Sequence, residues 1–532
     1  MIQQLTGVEL HGLLRSTGEH ALLDVREQGV FGREHILQAN CIPLSHVELL
    51  IDSLVPRRDT RIVLCDAGPA GAERLARRAA ARLAALGYSN VAILEGGIDA
   101  WRSQRRPLYS GINVPSKAFG EFVEHQYHTP RITAQELFRR MNRGDSLLIL
   151  DSRPFSEYHR MSIPSGIDVP GAELVHRVHD LKIDASTDIV VNCAGRTRSI
   201  IGAQSLINAG VPNRVMALKD GTMGWRLAGL ELEFGQTRRA PKPTVQGREA
   251  SLHAAARVAE RFGVHNVDLD TLYRWRGDPT RTLYLLDVRS PEEYVAGHLK
   301  GSRPAPGGQL VQATDEYIAT RNGRVILADD DGVRATMTAS WLIQMGWNDV
   351  YVLRDALEGE IEKGEFTPTV LGYRHAATVD PLELKAALDS GESVQVIDLA
   401  SSLEYQARHL PGAWWSPRSR LNTTLTMQPP IGLLVLTSQD ARLAHLAAQD
   451  LARVRPQQLV RVLDGGTDAW VAHGLPVTDG IEHATSDTND VWYKPYEHQD
   501  AVSERMQKYL DWEVALVEQT KNDDTVNFRY FD

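Results

Sequence analysis

The stretch Ile189-Val190-Val191-Asn192-Cys193-Ala194-Gly195-Arg196-Thr197-Arg198-Ser199 leads a run of apolar, β-branched residues into a thiol and then into a small loop carrying two arginines. Such a short apolar run bounded by turn formers reads as a strand buried on both faces. The residues after the loop read as the opening of a helix. The thiol therefore stands at a strand-to-helix turn. A thiol attacks only as its anion, and a helix N-terminus flanked by arginines favours that anion and offers N–H groups to an anionic substrate.

Working outward, the same framework recurs. An apolar strand ending in aspartate occurs as Leu22-Leu23-Asp24, Ile149-Leu150-Asp151, Leu285-Leu286-Asp287 and Val396-Ile397-Asp398. Seven residues after each Asp stands an aromatic (Phe31, Tyr158, Tyr294, Tyr405), and eleven after it stands His35, Ser162, His298 or His409. A second strand follows in each copy and leads into a helix. Constant offsets over four copies identify an internal repeat, and strands alternating with helices predict parallel sheets covered on both faces. Three copies end alike, in Gly96-Gly97-Ile98-Asp99-Ala100-Trp101, Gly221-Thr222-Met223-Gly224-Trp225 and Gly465-Gly466-Thr467-Asp468-Ala469-Trp470; the third copy has lost this ending.

These features resemble the rhodanese (sulfurtransferase) superfamily. The resemblance rests on Asp24-Val25-Arg26, Asp151-Ser152-Arg153 and Asp287-Val288-Arg289, on the Gly-His-Leu-x-Gly run of Gly297 to Gly301, and on the terminal Gly-Gly-x-x-x-Trp. It covers most of the chain. The expected fold is α/β: four tandem rhodanese-like domains, each a small parallel β-sheet flanked by helices on both faces, at 1–112, 126–236, 251–372 and 373–481, followed by an aromatic-rich, helical tail at 482–532. The segment Gln236-Thr237-Arg238-Arg239-Ala240-Pro241-Lys242-Pro243 reads as a polar linker, which predicts a two-plus-two arrangement. By the same resemblance the active module faces an inactive N-terminal partner, so copy one is expected to line the pocket of copy two, and copies three and four to form a catalytically dead pair.

Aligning the four loops places Cys65, Cys193, Asp329 and Thr437 at one position. In copy one Gly68 and Ala70 replace the arginines, and Asp66 opposes a neighbouring thiolate, so Cys65 is expected to be silent. Copies three and four lack a thiol. Catalysis is thus assigned to Cys193, with Ala194, Gly195, Arg196, Thr197, Arg198 and Ser199 binding substrate, and Arg196 and Arg198 gripping the oxyanion of the donor. Asp151 and Arg153 are read as a supporting ion pair, the repeated histidines as packing features, and Cys41 as an inert thiol. The six-residue loop resembles that of sulfur-transferring rhodaneses; related phosphatases carry one residue more. The implied reaction is ping-pong transfer of a sulfane sulfur from thiosulfate, through a Cys193 persulfide, to a thiol or cyanide. Three other readings stand beside it: a mercaptopyruvate or glutathione-persulfide sulfurtransferase, a non-catalytic interaction scaffold, and a phosphatase.

Composition bounds the rest. At 532 residues the chain needs several cores, and three cysteines exclude a disulfide framework and a four-thiolate zinc site. A net charge of −10 argues against nucleic acid as a partner, and no apolar stretch is long enough to span a bilayer. The N-terminus lacks a secretory pattern, so a cytoplasmic protein is expected. No cofactor or metal is implied by the spacings, while a protein acceptor and a homo-oligomer both stay open. In the tail a helix is predicted near 500–520 with Met506, Tyr509, Leu510 and Val514 on one face, packing back on the modules.

Overall fold

The computed structural model describes residues 2–68, 74–181, 183–426 and 432–532. Pro69 and Ala70 of the first loop lie outside them. Four five-stranded sheets form, each entirely parallel and each with its strands in the order first, fifth, fourth, second, third. The repeated sequence thus makes a repeated sheet. The fourth strand, Asp188–Asn192 in the second module, lies centrally between strands Leu147–Asp151 and Val215–Leu218. Ile189, Val190 and Val191 are fully buried there, as the unbroken apolar run requires of a strand covered on both faces. Helices bracket each sheet, and no helix among the described residues is long and apolar enough to cross a membrane.

The terminal Gly-Gly-x-x-x-Trp runs form short helices at Gly97–Ser103, Gly221–Leu227 and Gly466–Ala472. In each, the buried Trp (101, 225 or 470) donates its indole N–H to a backbone carbonyl six residues on, at Pro107, Glu231 or Pro476. The third module has only a single turn, Ala356–Glu358, and a strand Ile361–Glu362 that pairs antiparallel with His298–Leu299. His35, His298 and His409 stack on the aromatic four residues earlier and bond its carbonyl through Nδ1. Burial drops His35 to about 3, so it is a neutral packing element.

The modules do not pair in sequence order. Modules two and three share one continuous core that includes Leu206, Ala203, Trp341 and Leu342. Across it Trp341 donates to Ser205 Oγ at 2.9 Å, and the fully buried Arg334 reaches Glu173 at 2.7 Å. Module one instead meets module four: Arg418 holds Glu48 at 2.7 Å, Ser419 donates to Glu27 at 2.7 Å, and Arg82 reaches Asp450 at 2.6 Å. In both pairs the segment after the third strand meets its counterpart, Gly171 against Gly308 and Ser45 against Arg418. Module one also touches module three, through Glu19 and Arg281 at 2.7 Å and Tyr284 donating to Leu54 O at 2.6 Å.

The expected pairing of copies one with two and three with four is therefore corrected to a nested one. Its cause lies in the connectors. Helix Val114–Tyr127 is rigid and packs on helix Thr197–Asn208. The predicted linker 236–243 is no free tether, because Asp168 N–H bonds Arg238 O at 2.9 Å and Ala240 N–H bonds Asp168 O at 3.2 Å. It leads into helix Val245–Phe262, which buries Ala254, Ala255, Val258 and Phe262 in the core common to modules two and three.

Candidate active site

Cys193 follows the central strand directly and is 2 % exposed. Its Sγ donates to Ser199 Oγ at 3.4 Å, and Ser199 in turn donates to Arg196 O at 2.8 Å, closing the loop on itself. From the other side, the short helix Gly221–Leu227 grips the loop. Thr222 N–H bonds Cys193 O at 2.8 Å and Met223 N–H bonds Ala194 O at 3.0 Å. This approach demands glycine at 221, where φ is +54° and a Cβ would stand 2.4 Å from Cys193 O. Beneath the loop, Arg153 and Asp151 form a buried two-pronged pair (2.8 and 2.7 Å), and Asn192 donates to the same carboxylate at 2.9 Å. The same pair recurs as Arg26 with Asp24 and Arg289 with Asp287, in modules without an arginine loop.

What separates the second loop from the others is what fills it. In module one the Asp66 carboxylate accepts from Gly68 N–H and Ala76 N–H, each at 3.0 Å. In module three Asp329 accepts from Gly332 N–H at 2.6 Å and Ala335 N–H at 2.9 Å. In module four Ser438 Oγ accepts from Ala444 N–H at 3.3 Å, while Thr437 bonds Thr467. Each of these loops satisfies amides with its own side chain. Among the described residues no backbone or side-chain acceptor takes the amides of residues 194 to 198 in module two. Convergent free amides form a cradle for an anion.

The two arginines have different tasks. Arg196 is buried among carboxylates: Glu121 accepts from Nε and Nη2 at 2.6 and 2.7 Å, Glu124 from Nη2 at 2.6 Å, and Asp220 from Nη1 at 3.0 Å. Arg196 stands in the wall of the Cys193 cavity, as Arg198 does, but its guanidinium is held by three carboxylates, two of them brought by helix Val114–Tyr127. Arg198 lines the cavity beside Cys193, steadied by Glu157 at 2.9 Å and by Gln309 of module three at 3.1 Å. Burial works against the Glu157 carboxylate, yet Arg198 holds it down at about 2. Burial also pushes the Cys193 thiol above its ordinary value, with Arg198 and Ser199 pulling the other way. Cys65 and Cys41 are pushed well above theirs, by burial first and by Asp24 next.

The cavity over Cys193 measures about 80 Å³, and residues from outside module two join Glu157, Met223 and the loop itself in its walls. The expectation that copy one lines it holds only for Ile112, with Asn113 and Lys117 following from the connector helix. Gln312 belongs to module three, and the tail supplies Trp492, Tyr496, Tyr509 and Glu513. The tail helix Val502–Thr520 buries Met506, Leu510, Glu513 and Leu516. Val514, expected on that face, is 51 % exposed; Glu513 takes its place and reaches the site. Lys117 is buried, donating to Tyr509 OH at 2.5 Å and to Glu513 Oε1 at 3.2 Å. Burial opposes its charge, but Tyr509 and Glu513 outweigh that, so it joins Arg196, Arg198 and Lys494 as a cation in the cavity wall. The tail aromatics were visible in the sequence as a cluster; nothing in their spacing places them over Cys193. Lys117, isolated in an apolar helix face, was the signal overlooked.

The fourfold scaffold matches known proteins along most of the chain. The rhodanese-like domain model matches residues 7–104, 133–228, 268–360 and 380–473, more than half the chain. The chain belongs to the rhodanese family. A solved thiosulfate sulfurtransferase from Pseudomonas aeruginosa is 47% identical to this rhodanese, with all of both chains covered and a TM-score of 0.95. An HTH-type transcriptional regulator of Mycobacterium tuberculosis, Rv0324, is 38% identical over 104 residues; the match takes 20% of this chain and 45% of that regulator, so less than half of the regulator's length is spanned.

Proposed function

We propose that this rhodanese is a sulfurtransferase that takes a sulfane sulfur from thiosulfate onto Cys193 and passes it to a thiophilic acceptor. The observation that carries this reading is the loop of residues 194 to 198, whose amides have no protein acceptor among the described residues, wrapped around a thiol at a cavity with Arg198 and Lys117 in its wall. The full-length likeness to a thiosulfate sulfurtransferase supports it.

In the first half-reaction the Cys193 thiolate attacks the outer sulfur of thiosulfate. The sulfur–sulfur bond of the donor breaks, its electron pair leaves with sulfite, and Cys193 holds a persulfide anion. The thiol proton is released on the way. The free amides of residues 194 to 198 stabilise the persulfide, as convergent N–H groups do for any anion formed in a low-dielectric site. Arg198 and Lys117 offset the charge of the sulfonate, a role that Arg196 leaves to them. In the second half-reaction the acceptor attacks the terminal sulfur, and the electron pair of the breaking bond returns to Cys193 Sγ. With cyanide the product is thiocyanate.

Purified protein given thiosulfate and cyanide should form thiocyanate; Cys193→Ala should abolish this, and Cys65→Ala should retain it. Mass spectrometry after thiosulfate alone should find one added sulfur on the peptide carrying Cys193. Absence of both signals with every sulfane donor would refute the proposal.

A further inference from the structure

A second, larger cavity of about 580 Å³ lies against the one over Cys193, and the two share Trp492, Pro495 and Tyr509 as a common partition. Its walls carry three cationic side chains, Arg33 from module one and Arg505 and Lys508 from the tail, together with His498, whose pKa burial lowers, and no Asp or Glu. Arg505 and Lys508 have exposed carboxylate partners, Asp500 and Glu504, that stand outside the lining, and Arg33 has no acidic partner among the described residues. Two lining residues also hold buried polar atoms with no partner: Trp512 Nε1, a donor, and Asn489 Oδ1, an acceptor.

With basic side chains and no acid in its lining, this space suits an anion rather than apolar packing. The cavity over Cys193 is an order smaller and fits a small inorganic donor, and Cys193 itself is almost fully buried. A larger acceptor must therefore approach through adjoining space. The partition is made of side chains from the tail, so the two compartments are separated by Trp492, Pro495 and Tyr509 alone.

We propose that this vestibule, walled by Arg33, Asn489, His498, Arg505, Lys508 and Trp512, is the binding site for the sulfur acceptor, and that the acceptor it fits is a carboxylate-bearing thiol of low molecular weight. This rests on the sulfurtransferase reading of Cys193. The carboxylates meet the basic wall while the thiolate faces the partition. The thiolate attacks the terminal sulfur of the Cys193 persulfide, one sulfur–sulfur bond forms as the other breaks, the returning electron pair stays on Cys193 Sγ, and one proton restores the thiol. The acceptor leaves as its persulfide, with no external oxidant or reductant.

The test uses full-length protein with glutathione as the anionic thiol and cyanide as an acceptor too small to need the vestibule. In the double charge reversal Arg33→Glu with Lys508→Glu, the ratio of kcat/KM for glutathione to that for cyanide should fall at least tenfold. In the Cys193→Ala protein, where no transfer occurs, glutathione should quench the fluorescence of the lining tryptophans saturably, and the charge reversal should weaken that binding by a similar factor. An unchanged ratio together with unchanged quenching overturns the vestibule while thiocyanate formation still stands. Failure of thiocyanate formation in the unmodified protein overturns the sulfurtransferase reading beneath it. Should the double variant fold poorly, the single reversal Lys508→Glu, at an exposed position on the same wall, must still lower the ratio.

Discussion

Replacing Arg196 with Met separates a positioning role from donor binding. The substitution removes the cation shared by Glu121, Glu124 and Asp220. Glu121 carries most of the cost, because its side chain is 4 % exposed and both its oxygens are taken by Arg196; Glu124 and Asp220, at 16 % and 25 %, keep some water. Burial already raises the Glu121 carboxyl and Arg196 opposes this, so without the guanidinium the group is both buried and unpaired. Breaking such a pair from one side costs about 3–5 kcal/mol. For a cooperative unit of roughly 150–250 residues each kcal/mol shifts the midpoint by about 2–4 °C, which predicts a fall of roughly 6–20 °C. Differential scanning fluorimetry reads this directly, and adding Glu121→Gln to the same protein should recover a large part of it. Assayed well below the transition, the KM for thiosulfate should stay within about threefold of the parent, since the guanidinium is occupied elsewhere. A midpoint that does not move, with a KM raised tenfold or more, would show that Arg196 binds the donor and that its carboxylate cage is incidental.

Alkylation of Cys193 by iodoacetamide, followed by peptide mapping, should still accelerate above pH 9, because burial holds the thiol above that value; Cys65, fully buried, should stay unmodified in the native protein. A rate that levels off below about pH 8 would contradict the first half of this. His176, between modules two and three, is raised to about 9: burial pushes it down, but Asp331 at 3.1 Å and Glu173 at 3.5 Å outweigh burial and the nearby Arg334. Its folded value exceeds its unfolded one near 6.5, so its stabilisation is complete below pH 6.5 and is lost as pH rises through about 9. The midpoint of the parent should therefore fall relative to that of His176→Gln across this window, and parallel curves would refute the assignment. Gly221→Ala should lose on the order of 1–3 kcal/mol and most thiocyanate formation, whereas Gly229→Ala, also at positive φ but facing open space, should lose stability and keep turnover; equal activity in the two would detach the Gly221 contact from the loop.

How much of this was legible beforehand follows from the range of each interaction. The sheet order rests on local patterns that recur four times, so strands, helices and the thiol at the strand end could be read from periodicity and turn residues. The buried pair of Asp151 with Arg153 is equally local, two residues apart and forced by the strand end. Arg196 could not be read, because the acids that capture it stand on a helix seventy residues earlier, and an arginine next to a cysteine looks the same whether it faces the cavity or turns away. Lys117 and Glu513 lie nearly four hundred residues apart, and only the docked tail brings them together. The nested pairing was hidden for a similar reason: composition marks 236–243 as a linker, whereas its backbone amides and carbonyls are spent on the edge of module two.

That pairing also gives modules one and four a physical part in the site. Before the tail reaches Cys193 it is fastened between modules one and four. Gln28 N–H bonds Asp490 O at 3.0 Å, Trp492 N–H bonds Gln28 Oε1 at 3.0 Å, and Ser402 N–H bonds the Asp490 carboxylate at 2.8 Å. Trp492 packs so closely on Gly32 that a Cβ there would lie 2.2 Å from its ring. The position of Trp492, Pro495 and Tyr496 over the cavity is thus set by modules one and four, while Gln312 of the third lines the wall and Gln309 steadies Arg198. Excising modules one and four would leave Cys193 and its loop amides in place but release the tail from both anchors. Water entering a cavity weakens the attraction between an anion held there and the surrounding N–H groups. On the proposed function, removing modules one and four should therefore lower thiocyanate formation while Cys193 and its loop stay in place, and unchanged turnover would show that the tail's anchors play no part in the site.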